Sequence, residues 1–325
     1  MEIRMTTSRN LTIDIVRVLC TLEIVAFWHM LDYYPNPEAY KIVGGLSVTD
    51  GVLSAFAFIS GLFLGKQSIS PLEFYAKRIK RFLLLFAIAL GILYAGSVIK
   101  SFTDYVFALT GISCFIEPMP KTLWFFTMMV LFYWITPLIC LGNSNKWYNK
   151  LLMSIAVYAI LLLIHVFIHP IDYRVLLYFP FYVIGIICPL SATKWRNTHS
   201  FTIIALGGAV SFLNLFSSQL DYCIPRFISC LFSAAMILGV GNIISNFLGE
   251  KVKSFITVIS YACMCAYLFH RPIYEAFQRV FQNEQGTMPI YLIPIMIITL
   301  FIISYYIQKA YDKVINIVFV KKNED

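Results

Sequence analysis

The stretch Asp14-Ile-Val-Arg17-Val-Leu-Cys-Thr-Leu-Glu23-Ile-Val-Ala-Phe-Trp28-His29 decides how this chain is read. It is the first long apolar run, yet it holds two acids, an arginine and a histidine. An ionisable group at the centre of a bilayer costs roughly 2.5–3.5 kcal/mol on the insertion scale. A helix that carries four of them lines a polar cavity, or it does not lie in a membrane.

The rest of the chain favours the membrane. Its 325 residues are 59% hydrophobic and only 13% charged, with a mean hydropathy of +0.77. A soluble domain carries about 25% charge. Crossing ~30 Å of hydrocarbon takes about 20 apolar residues. Runs of that kind predict spans near 11–31, 47–65, 82–99, 122–141, 151–168, 175–190, 201–217, 225–246, 255–270 and 290–308. The expectation is an all-α, polytopic membrane protein of about ten transmembrane helices, with residues 1–325 as a single domain. Met1–Asn10 is short and basic, and no small-residue cleavage site follows the first apolar run. The first span is therefore read as retained.

Basic residues orient the spans, because lysine and arginine concentrate on the cytoplasmic side. With both termini cytoplasmic, the outer set is Lys41, Lys100, Lys121, Arg174, Arg226, Arg271 and Arg279. The other 18 of the 25 basic residues, from Arg4, Arg9 and Arg17 through Lys66, Lys194 and Arg196 to Lys321 and Lys322, fall inside. Topology thus accounts for the net charge of +8 without a nucleic-acid partner. Tryptophans such as Trp134, Trp147 and Trp195 near span ends form the usual interfacial belt. The eight cysteines are scattered through apolar runs and read as buried small hydrophobes. No pair of histidines or acids stands at i,i+4 on one predicted span in ligand spacing, so no metal site is expected.

On this topology His29, Asp50, Glu117, Trp124, Arg174, Arg226 and His270-Arg271 all fall toward the outer side. Polar groups delivered to one depth suit a water-filled cavity. On the inner side, Lys77-Arg78-Ile-Lys80-Arg81 offers a phosphate site, since arginine pairs bidentately with phosphate oxygens. Arg17 and His29 lie ~18 Å apart along a helix rising 1.5 Å per residue, about the reach of an extended pantetheine arm. Asp14 and Arg17, at i,i+3, can pair.

These segments resemble the acyltransferase-3 family of integral-membrane O-acyltransferases. Span 1 resembles its Asp-x-x-Arg with a downstream histidine (Asp14, Arg17, His29). Span 2 resembles its phenylalanine-rich segment ending in Ser-Gly (Phe56, Phe58, Ser60, Gly61). The next loop resembles its Arg-x-x-Arg (Arg78, Arg81). Span 4 resembles its Leu-Trp-Phe start (Leu123-Trp124-Phe125) with Tyr133 and Pro137 behind it. Phe181 to Gly185 resembles its Phe-x-x-Gly segment with one residue more. Ser260-Tyr261 and Tyr267-Leu-Phe-His270 resemble its closing pattern.

The resemblance implies about ten helices and transfer of an acyl group, often acetyl from acetyl-CoA, to a hydroxyl of a sugar or exported glycan. It implies His29 as the catalytic histidine and Arg17 as a residue that organises the site. It further implies donor contacts at Arg78 and Arg81, with Trp124 and His270 lining the site; Lys77 of the same basic run is read as a further donor contact. Asp14, Glu23, Asp50, Ser60 and Arg226 are read as further lining residues. Two departures stand out. Eleven residues separate Arg17 from His29 where the family has ten. On a regular helix that sets the pair about 120° apart rather than about 20°. Either a π-bulge restores the facing, or the two groups act at different walls. Ser54 also stands where many members have Asp or Pro, with Asp50 one turn earlier. Glu23 could orient a histidine, although on a regular helix it faces about 120° away from His29.

The expected function is acyl transfer from cytoplasmic acyl-CoA to an outer sugar or envelope-glycan hydroxyl. The expected setting is the cell membrane, with a bacterial inner membrane favoured. The donor is a substrate, and no permanently bound cofactor is expected. His29 serves as general base or as transient acyl carrier. The alternative is a transporter or flippase for a lipid-linked sugar or glycan, which would also place charges inside a helical bundle.

Overall fold

The computed structural model describes residues 10–33, 46–65, 70–140, 146–188, 197–216, 223–282 and 288–319. Arg4, Arg9, Lys41, Lys66, Lys194, Trp195, Arg196, Lys321 and Lys322 lie outside the described residues. All regular structure among the described residues is helical. In chain order the helices are α1 (Leu11–Leu22), α2 (Leu46–Leu64), α3 (Pro71–Arg78), α4 (Leu84–Ala95), α5 (Phe102–Thr110) and α6 (Trp124–Ile139). They continue with α7 (Trp147–Phe167), α8 (Tyr173–Ile187), α9 (Asn197–Phe216), α10 (Cys223–Phe247), α11 (Glu250–Phe281) and α12 (Ile293–Phe319). Two π-turns interrupt them, Glu23–Trp28 after α1 and Ile79–Leu83 between α3 and α4.

Each apolar segment predicted as a span overlaps one of these helices. Four helical segments are long and apolar enough to cross a membrane: Trp147–Phe167, Arg226–Phe247, Glu250–Phe281 and Ile293–Val318. Val48–Leu64, Trp124–Ile139 and Tyr173–Ile187 are apolar but shorter. Helix α11 runs past its expected end at 270 to Phe281, and α12 runs past 308 to Phe319. Hydropathy stops where charge begins, but backbone hydrogen bonding does not. Arg271 and Glu275, at i,i+4 and 2.8 Å apart, support the polar continuation of α11.

Two short helices fall outside the predicted spans, and both are explained by their caps. Ser70 Oγ accepts from the Glu73 N–H ahead of Pro71 in α3, and Ser101 Oγ accepts from the Asp104 N–H in α5. These are preferred N-cap and first-turn residues. Helix α5 stops at Gly111, whose φ of 84° suits glycine. Between α7 and α8 the short connection is held by His165, whose Nδ1 accepts from the Ile171 N–H at 2.9 Å.

The chain divides into two compact units. The first takes residues 1–31, 36–56 and 190–264. In it α10 packs against α9 and α1 through small residues. A Cβ on Gly241 would stand 2.5 Å from Val16 Cγ2, and one on Gly207 would stand 2.6 Å from Met236 Cβ. Hydrogen bonds between helices reinforce these contacts, with Asn242 Nδ2 donating to Ser200 Oγ at 3.0 Å.

The second unit takes residues 32–35, 57–189 and 265–325. Here the end of α2 meets α8 backbone to backbone. A Cβ on Gly61 would lie 2.0 Å from the Tyr182 carbonyl oxygen, and one on Gly185 would lie 2.1 Å from that of Phe58. Around this contact an aromatic core forms. Phe82 stacks on Phe126 at 5.6 Å, Phe126 meets Tyr267 at 4.8 Å, and Phe132 meets Tyr182 at 5.1 Å.

Candidate functional site

In the first unit the site grows from α1. Had the helix stayed regular beyond Leu22, Arg17 and His29 would point about 120° apart. Instead the backbone widens at Glu23. The His29 N–H bonds the Ile24 carbonyl, five residues back, closing the π-turn Glu23–Trp28. One such turn absorbs one residue, about 100° of rotation, and brings His29 to within about 20° of the Arg17 line. The extra residue is thus taken up between the two groups it would have separated. His29 is half-buried, whereas Phe27 is 52% exposed and occupies the outward face of the same turn.

Asp14, Glu23 and Asp50 of this unit each have a partner from another helix. Asp14 is buried, and its Oδ1 accepts from Ser260 Oγ of α11 at 2.7 Å. Glu23 Oε1 accepts from Thr49 Oγ1 of α2 at 2.8 Å, while its Oε2 is buried without a hydrogen bond. Asp50 accepts a two-pronged contact from Arg226 of α10, Nε to Oδ2 at 2.7 Å and Nη2 to Oδ1 at 3.2 Å. Ser54 Oγ donates to the Asp50 carbonyl at 2.8 Å, so the departure at Ser54 leaves Asp50 as the acid of this turn. With side chains only 23% and 11% exposed, the Arg226–Asp50 pair is largely withdrawn from solvent. Removing one member of such a pair strands the other. We expect Arg226→Ala to destabilise the protein by about 3 kcal/mol, read as a lowered Tm in detergent. The loss should be smaller in an Asp50→Asn background.

The second unit holds Ser60, Lys77, Arg78, Arg81, Trp124 and His270. Lys77, Arg78 and Arg81 take three different environments. Lys77 pairs with Glu73 at 2.7 Å on the surface, a contact of small energetic weight. Arg78 turns inward, with its guanidinium 5.5 Å from the Phe74 ring and 5.8 Å from the Tyr133 ring. Its Nε is buried without a hydrogen bond. Beside it lies a small open cleft lined by Tyr75, Phe82, Val130, Tyr133 and Trp134. Arg81 is exposed. A buried, unfilled guanidinium N–H next to open space is a donor available to an anionic oxygen.

Trp124 opens α6 and carries the Arg174 guanidinium 4.1 Å from its ring, with Tyr178 stacked at 6.1 Å. Arg174 is itself held by Asp172, Nε to Oδ1 at 2.8 Å. His270 is 1% exposed, with Nδ1 2.7 Å from the Tyr267 carbonyl oxygen and its ring stacked on Tyr267 at 5.9 Å. Ser60 is half-buried one residue before the Gly61 contact. Sequence reasoning missed Thr49, the partner of Glu23. An isolated hydroxyl in an apolar helix gives no signal until the fold shows what it faces.

The family model for the acyltransferase-3 acyltransferase domain matches residues 10–309, running through both units. No curated protein and no solved structure matches the chain. With a match over most of its length, and with helices fit to cross a bilayer, the chain belongs to the acyltransferase-3 family and is a multi-pass membrane acyltransferase.

Proposed function

We propose that this acyltransferase moves an acyl group, acetyl the favoured case, from cytoplasmic acyl-CoA to a hydroxyl of a sugar or envelope glycan on the outer side. The reading places both termini in the cytoplasm, about ten spans in the membrane, and the protein in a bacterial inner membrane. The observation that carries it is the π-turn at Glu23–Trp28, which returns His29 to the Arg17 side of the helix. A fold that spends a wide turn on one residue's register is setting the direction of the group that follows.

In this mechanism Arg78 and Arg81 hold phosphate oxygens of the donor, with Lys77 adding positive charge. His29 takes the proton of the acceptor hydroxyl as that oxygen attacks the thioester carbonyl. The C–S bond breaks, the thiolate leaves with coenzyme A, and the imidazolium returns its proton to it. Arg17 and Asp14 organise the helix beneath. Glu23, Asp50 and Arg226 shape the polar wall in the first unit, as Ser60, Trp124 and His270 do in the second.

The test is transfer of label from acetyl-CoA to membrane glycans by vesicles with and without the protein, followed by mass spectrometry of the glycans. Label in an ester on a glycan hydroxyl supports the reading, and its absence sinks it. Arg78→Ala is expected to raise KM for acetyl-CoA by tenfold or more, since hydrogen bonds to charged groups are worth about 1.5–3 kcal/mol.

A further inference from the structure

The C-terminal helix carries a contact that lies beyond the residues the family model matches, 10–309. Tyr311 of α12 donates its hydroxyl to the Lys80 carbonyl at 2.5 Å. Lys80 is the second residue of the π-turn Ile79–Leu83. Within that turn the Leu84 N–H reaches back to the Ile79 carbonyl, not to the Lys80 carbonyl that an α-helix would offer it. A side-chain hydroxyl inserted where a backbone ladder widens is a known way to hold such a distortion, because it serves a carbonyl the ladder has released.

The consequence falls on the two arginines that flank Lys80. In a regular α-helix, positions 78 and 81 lie about 60° apart around the axis. The wider turn spreads them. Arg78 enters the aromatic pocket between Phe74 and Tyr133, while Arg81 stays exposed. Tyr311 is anchored in turn by its own helix. Gln308 Nε2 donates to Asp312 Oδ1 at 2.9 Å, and Cys265 Sγ donates to Gln308 Oε1 at 3.2 Å, tying α12 to α11.

We infer that Tyr311 is a positioning residue for the donor site. Its hydroxyl holds the π-turn 79–83 open, and the turn splays Arg78 and Arg81 to receive an anionic, phosphate-bearing donor. The inference rests on the donor role proposed for these arginines.

Isothermal titration of the full-length detergent-solubilised protein with acetyl-CoA tests it, using wild type, Arg78→Ala and Tyr311→Phe. Tyr311→Phe keeps the ring and removes only the hydroxyl. It is expected to weaken acetyl-CoA binding roughly three- to tenfold, the range of one neutral hydrogen bond. Amide hydrogen exchange should rise within residues 79–85, with kcat and Tm nearly unchanged. If Arg78→Ala weakens binding and Tyr311→Phe does not, the positioning role falls and the donor role stands. If neither variant changes binding, both fall. Faster exchange spread over the whole protein, with Tm and kcat lowered together, would mark Tyr311 as a packing residue and overturn the inference.

Discussion

His29→Ala is expected to lower acyl transfer by about 10²- to 10⁴-fold, the contribution of a positioned general base, while acetyl-CoA binding stays near wild type. Alanine removes the imidazole and leaves the π-turn, whose closing bond is made by the backbone N–H of residue 29. The sharper experiment changes register and keeps the imidazole. Deleting Phe27 shortens the turn to the ten-residue spacing, at which a regular helix holds Arg17 and His29 about 20° apart. Phe27 is 52% exposed, so its loss costs little packing. This deletion should retain activity within about tenfold, because the one-residue surplus that the π-turn absorbs is gone. Inserting an alanine after Ala26 should instead swing His29 by a further 100° or so and lose nearly as much activity as His29→Ala. Rates of acetyl transfer in vesicles, compared at equal protein, decide the matter. If the deletion is as inactive as His29→Ala, register is not what the π-turn supplies.

Gly185→Val is expected to prevent the protein from accumulating in folded form. The Cβ would stand 2.1 Å from the Phe58 carbonyl oxygen and 2.9 Å from the Leu62 nitrogen, both backbone atoms that no rotamer change can move. Gly61 and Gly65, spaced as small-x-x-x-small, face α8 equally closely, each with a carbonyl oxygen 2.0 Å from an added Cβ. In lipid no hydrophobic force pulls helices together, so association depends on such close backbone approach. Overpacking a well-filled interior costs about 1–3 kcal/mol when side chains can give way, and here they cannot. Yield and Tm in detergent measure the loss. Gly91 of α4, with nothing within 4 Å of its Cβ position, is the control. Gly91→Ala should be neutral or stabilising by about 0.5–1 kcal/mol.

Much of this architecture is legible in the chain itself. Apolar run length predicts a helix within each of the ten segments, because hydrocarbon burial and backbone hydrogen bonding demand the same residues. The order of motifs from Asp14 to His270 identifies the family, and spacing alone raised the question at residues 17–29. Spacing could not answer it. Whether an eleventh residue twists His29 away or is absorbed depends on contacts such as Glu23 to Thr49, made across 26 positions of sequence. The second π-turn gave no signal at all, since it rests on Tyr311 of a helix that begins more than 200 residues later.

Charge behaved in the same way. Asp50 and Arg226 are separate oddities in the sequence and one ion pair in the fold. Lys77, Arg78 and Arg81 read as one basic cluster, yet the fold gives Lys77 a surface partner, buries part of Arg78 beside two aromatic rings and leaves Arg81 exposed. Apolar run length thus placed a helix at each of the ten segments and motif order pointed to the family, because both are local properties of the chain. The direction of each charged side chain was decided only by tertiary structure. It depends on a one-residue change of helical register and on partners that sequence distance hides.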